Sequence, residues 1–131
     1  MSDEWTVVVH EAERVLEVHY PRYPSQAAFD RYDKAIRAAI EKLASKGDWD
    51  CLVDQTAVTA LAPELAEKIA VLNAWAKAKR MRRTARVIAD SAIGELQSVR
   101  ILKEGGVKNI GQVFKSRDEA WKVLRSPQKN L

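Results

Sequence analysis

The sequence predicts one α/β domain, a mostly parallel mixed sheet with helices packed on it, in the order ββαβαβαβα. Three observations predict it. Short apolar or β-branched runs alternate with longer stretches whose apolar residues recur at steps of three and four. Two strand-like runs joined by a short polar segment open the chain and add an antiparallel hairpin. No repeat, low-complexity segment or linker divides the chain, so residues 1–131 read as one domain, with a folded core over 5–125 and a tail over 126–131.

Each element has a local reason. Trp5 to His10 is rich in β-branched and aromatic residues, and Val15 to Tyr20 places Leu16, Val18 and Tyr20 on one parity; both read as strands. With the hairpin centre near 12–13, His10 opposes Val15 and His19 opposes Thr6. Pro21 and Pro24 end the second strand, and Ser25 stands at an N-cap position. Phe29, Tyr32, Ile36, Ile40 and Leu43 then form a one-sided stripe, which predicts a helix from 25 to 45 closed by Lys46 and Gly47. Trp49 to Thr56 contains the apolar run Cys51-Leu52-Val53, the pattern of a strand covered on both faces. Pro63 fits a helical first turn, and Leu65, Ile69, Leu72 and Ala76 carry that helix to about Lys79. Arg86-Val87-Ile88-Ala89 predicts the fourth strand. Asp90 and Ser91 can cap a helix that runs to about Glu104 and stops at Gly105-Gly106. Ile110 to Phe114 reads as the last strand. Ser116-Arg117-Asp118-Glu119 has the capping-box pattern, with the Ser hydroxyl taking the N3 amide and the Glu reaching back. It opens a final helix that carries Ala120, Val123 and Leu124 to about Arg125.

This order, with a strand ending in Val53-Asp54 and a strand–helix unit from Arg86-Val87-Ile88-Ala89-Asp90-Ser91 to Ala92-Ile93-Gly94-Glu95-Leu96-Gln97, resembles the STAS-type fold. More closely it resembles the SpoIIAA-like group of small STAS-related bacterial proteins. The segment from Gly106-Val107 through Val113-Phe114-Lys115-Ser116-Arg117-Asp118-Glu119-Ala120-Trp121 is similar to the strand, capped turn and short helix that close that group. The resemblance implies a non-enzymatic regulatory or protein-interaction domain. In anti-sigma-factor antagonists of this type, a partner kinase phosphorylates a serine at the start of the helix after the third strand. A phosphate there changes the binding surface by almost two charges. The matching stretch here is Asp54 to Glu64, and the serine position falls at Ala62 or Pro63, where no hydroxyl stands; Thr59 is displaced from it. The phosphoacceptor is therefore missing from its expected place. The likeness of such relatives to CRAL-TRIO lipid-transfer domains implies an alternative, the binding of a small apolar ligand or lipid.

Ligands of open α/β sheets bind beyond the carboxyl ends of parallel strands. Asp54, Thr56 and Thr59 after the third strand, with Asp90 and Ser91 after the fourth, are the residues that would line such a crevice. Helix starts near Pro63 and Ala92 would point amides at it. The plainer reading is that Asp90 and Ser91 cap a helix while Asp54 and Thr56 tie down a turn. A second candidate is basic: Lys77, Lys79, Arg80, Arg82 and Arg83, followed by Arg86. It reads either as a phosphate-binding patch for nucleic acid or anionic lipid, or as a helix C-terminus complemented by cations and followed by a solvated loop. Only Trp75 stands near enough to stack on bases, which weighs against nucleic acid.

His10, His19 and Cys51 have no zinc spacing, and Cys51 inside an apolar strand reads as a core thiol. Neither a Ser/His/Asp set nor a Gly-rich phosphate loop is visible. The expectation is therefore no catalytic residues, no metal and no cofactor. The net charge of +4 hides an asymmetry: residues 1–66 carry a net −5 and residues 67–131 a net +9. An acidic face against the basic patch, or a sheet-edge contact through the first hairpin, would make a homodimer. The lone cysteine suits a reducing cytoplasm, and the acidic start Met-Ser-Asp-Glu-Trp lacks the basic n-region of a signal peptide. The longest uncharged stretch, nine residues from Gln55 to Pro63, is too short for a membrane span.

Overall fold

The computed structural model describes residues 4–58, 61–89 and 99–126. Five strands build one sheet: β1 (Thr6–His10), β2 (Val15–His19), β3 (Trp49–Asp54), β4 (Met81–Val87) and β5 (Gly111–Phe114), in the spatial order β1–β2–β3–β4–β5. β1 runs antiparallel to β2, and β2 to β5 are mutually parallel. Four helices accompany it: α1 (Gln26–Ala44), α2 (Pro63–Ala78), α3 (helical over 99–104) and α4 (Arg117–Arg125).

Side chains alternate across a strand, so each strand feeds two cores. Leu16 and Val18 of β2 and Cys51 and Val53 of β3 pack with the α1 stripe Phe29, Tyr32, Ile36, Ile40 and Leu43. Leu65, Ile69 and Leu72 of α2 and Ile101 and Leu102 of α3 complete that layer. The other parity, Val15, Leu52, Ala85, Val87 and Phe114, is covered by Ala120, Trp121 and Leu124 of α4. Three layers result, with three helices on one face of the sheet and one on the other. Trp5 closes the larger core. Its ring stacks on Tyr32 at 5.3 Å and meets Tyr20 and Phe29 edge-on at 5.6 and 5.5 Å.

The caps form where the sequence places them. Ser25 Oγ accepts from the Ala28 amide at 3.2 Å, and Ser116 Oγ accepts from the Glu119 amide at 3.2 Å. The hairpin register is the expected one, with His10 opposite Val15 and Thr6 opposite His19. Arg14 closes its turn in the left-handed region, at φ +59°, with its amide donating to Glu11 O at 3.2 Å. From there its guanidinium donates to the carbonyls of Leu43, Gly47 and Asp48 and so satisfies the end of α1. A β-carbon on Gly105 would lie 2.8 Å from the Ala70 carbonyl, so α2 and the end of α3 approach as closely as they do only around a glycine.

Three expectations are corrected. The fourth strand spans Met81–Val87, so it starts five residues before the predicted Arg86 and ends before Ile88. Its arginines conceal it: a strand with three arginines in seven residues does not read as apolar, yet Arg83 and Arg86 are buried. The described order also departs from ββαβαβαβα between β4 and β5. Residues 90–98 of the predicted helix lie outside the described residues, and an extra 3-10 turn, Lys108–Ile110, follows the helical residues 99–104. Gly106, at φ +71°, ends the helix with the Val107 amide on Leu102 O at 2.9 Å, and the Ile110 amide then bonds Val107 O at 3.1 Å. In α4 the deeper residue is Trp121 rather than Val123. No helix among the described residues is long and apolar enough to cross a membrane.

Candidate functional site

Thr59, Asp90 and Ser91 of the expected crevice lie outside the described residues. Asp54 and Thr56 tie down a turn: Asp54 Oδ1 accepts from the Thr56 amide at 2.9 Å and from Thr56 Oγ1 at 2.7 Å. The other oxygen of Asp54 looks elsewhere, 3.7 Å from His19 Nδ1. It belongs to the edge of a polar cluster on the α4 face of the sheet.

Glu17 is the centre of that cluster. Strand parity turns it to the same face as Val15 and His19, and its side chain is buried. Arg117, the first residue of α4, donates to both carboxylate oxygens, Nε at 2.6 Å and Nη2 at 2.9 Å. His10 Nε2 lies 2.9 Å from one oxygen and His19 Nε2 2.7 Å from the other, and each donates when its N–H is on Nε2. Four donors fill the roughly four lone-pair sites of a carboxylate. The Arg117 hydrogen bonds, followed by those of the two histidines, outweigh the opposing effect of burial and hold Glu17 down to about 2. Such a carboxylate cannot take up a proton near neutral pH, so it is no general base. It pins α4 to β2. The His10 ring meets Trp121 edge-on at 5.0 Å, and Arg125 lies over the Trp121 ring at 4.3 Å. Sequence reasoning separated the two histidines correctly along the ladder but missed the acid between them. The signal was there: Glu17 shares parity with His19 and sits diagonally across the ladder from His10. Among the described residues no group of three or more His, Cys, Asp or Glu is placed to hold a metal ion.

The basic candidate is not one surface. Lys77 donates to Gly106 O at 3.0 Å, and Lys79 pairs with Glu41 at 3.1 Å. Arg80, in the left-handed region at φ +74°, pairs with Asp48 at 3.1 Å. A register shift at Trp49/Asp50 lets two successive arginines face one acid: Arg82 and Arg83 each reach both oxygens of the buried Asp50. Arg83 is 1% exposed and also donates to the carbonyls of Val123 and Leu124 at the end of α4. Arg86 is 0% exposed and faces the opposite core. The run is a strand and its flanks, folded inward, and not a loop presented to phosphates. The Trp75 ring has Arg37 over it at 4.7 Å and Lys79 at 5.5 Å. Cys51 is a buried free thiol, and burial pushes it up to about 12, far from nucleophilic use.

What the described surface does present is the edge of the sheet at β1. Thr6-Val7-Val8-Val9-His10 carries no charge that is fixed at neutral pH, no proline and no bulge, and Val8 and Val9 are 46% and 39% exposed. Alternate amides and carbonyls of such a strand face away from its single neighbour. Beside Val9 runs a groove of about 670 Å³ between the hairpin turn and α1. Its floor is Ala35, Ala38, Ala39 and Leu43, and Glu11, Lys42 and Lys46 border it. No protein-family model matches this sequence, and no curated protein or solved structure matches it either.

Proposed function

We propose that this chain is a non-catalytic interaction domain that pairs with a second copy of itself through the β1 edge. This agrees with what the resemblance to SpoIIAA-like STAS domains implies, and it places no demand on the missing phosphoacceptor. The observation that carries it is the unguarded valine edge. Exposed strand edges are ordinarily blunted by lysine, proline, a bulge or a cover, because they template pairing. β1 has no lysine, proline or bulge within its five residues.

The edge is also self-complementary. An antiparallel pair of β1 strands about a two-fold at Val8 sets Val7 of one copy against Val9 of the other and Thr6 against His10. No like charges face each other, which is what an isologous interface requires. The groove beside Val9 adds to this. Glu11, Lys42 and Lys46 line it, so charges of both signs stand beside the edge.

Light scattering tests the proposal. The wild-type protein is expected to be a dimer across micromolar concentrations, and Val8→Lys a monomer with an unchanged far-ultraviolet spectrum. Val8 is exposed, so the substitution leaves both cores alone. A monomeric wild type, or a Val8→Lys dimer as stable as wild type, overturns it.

A further inference from the structure

Among the described residues, the face of the sheet under α1 and α2 holds a charge with no counterion. Arg86 is 0% exposed. Its Nη1 donates to Gln55 Oε1 at 3.0 Å and to Tyr20 Oη at 3.4 Å, while its Nε and Nη2 have no partner. Asn73 of α2, also buried, has no partner for its Nδ2. Arg86 and Asn73 line the same small cavity between the sheet and the two helices, together with Tyr20, Tyr32 and Cys51. The cavity holds about 10 Å³ of free space, which is room for a single small particle.

Chemistry narrows what that particle is. Buried charges in proteins are paired, because an unpaired one carries a desolvation penalty of several kcal/mol. Among the described residues Arg86 has no carboxylate within ion-pair distance. Two of its titratable neighbours, Cys51 and Tyr32, do not supply a negative charge. Burial pushes the Cys51 thiol up to about 12 and the Tyr32 hydroxyl well above its ordinary value, so both are neutral. The three unpartnered atoms are all N–H donors. A water molecule accepts two hydrogen bonds and must then donate two of its own, and it leaves the guanidinium uncompensated. An anion accepts every bond on offer and neutralises the charge. The available space excludes phosphate, sulfate and carboxylate ligands and fits a monatomic ion.

We propose that Arg86 and Asn73 hold one buried halide ion, chloride in ordinary electrolyte, between β4 and α2. Occupation ties α2 to the sheet, since the two donors stand on separate elements. The site is independent of the β1 edge and of the pairing proposed there.

Thermal unfolding in sodium bromide against sodium gluconate at matched ionic strength tests it. Wild type is expected to gain stability saturably, by about 5 °C at a tenfold excess of bromide over its Kd, and Arg86→Met to show no saturable gain. Anomalous scattering from crystals soaked in bromide is expected to place the ion in the cavity beside Arg86. An equal bromide response in wild type and Arg86→Met, or a map with water alone in that cavity, overturns the proposal. If Arg86→Met does not fold, the wild-type map decides.

Discussion

Glu17 and Arg86 are both buried charges in parallel strands of one sheet, β2 and β4 on either side of β3, and the molecule treats them in opposite ways. Glu17, on the α4 face, has its carboxylate filled by four donors. Arg86, on the face under α1 and α2, has two of its three nitrogens without a partner. Burial and charge are the same in kind; satisfaction is what differs. A fully satisfied charge is a fastener, and its chemistry is closed to substrates and protons. An unsatisfied one is open to whatever can complete it.

The largest effect expected from breaking this contrast is at Asp50, the other filled carboxylate. Asp50→Ala strands the buried Arg83 and is expected to lower stability by about 3–5 kcal/mol in urea denaturation. Glu17→Gln keeps the shape and removes the charge, for an expected loss of about 1.5–3 kcal/mol by the same measurement. The pH dependence sharpens it. Because Glu17 is held down to about 2 from an ordinary 4.5, the unfolded chain binds the proton more tightly. Its contribution is therefore complete above pH 4.5 and is lost as the pH falls toward 2. The stability difference between wild type and Glu17→Gln should shrink across that window, and a difference independent of pH would contradict the four-donor geometry. Arg86→Met is expected to show the smallest stability change, near zero or a gain in halide-free buffer, since it replaces an uncompensated charge with a side chain of similar volume. A loss as large as that of Glu17→Gln would erase the distinction between the two faces.

Much of the frame was legible in the sequence. The stripe Phe29, Tyr32, Ile36, Ile40, Leu43 buries as its periodicity says, and both serine caps and the hairpin register form as read. These are local properties, set by residues within a few positions of one another. β4 was misplaced because its arginines are made tolerable by residues far away, Arg83 by Asp50 and by the carbonyls at the end of α4. Nothing near Met81 to Arg86 announces those partners. The same distance hid the Glu17 cluster, whose strongest donor, Arg117, comes from 100 residues further along the chain. Polar residues with long-range partners are where a single sequence is hardest to read.

The placement of Arg83 also bears on how the chain comes together. Its guanidinium closes the end of α4 by taking the Val123 and Leu124 carbonyls while holding Asp50. α4 is only nine residues long, too short to persist alone in water. Ser126 caps the Val123 carbonyl locally, but the Leu124 carbonyl gains its Arg83 donor only once β3 and β4 have docked side by side. During synthesis the strands emerge first, and Leu52, Ala85 and Val87 stay uncovered until α4 arrives. The interval between sheet assembly and the landing of α4 is when the newborn chain is most exposed to sticking to its neighbours.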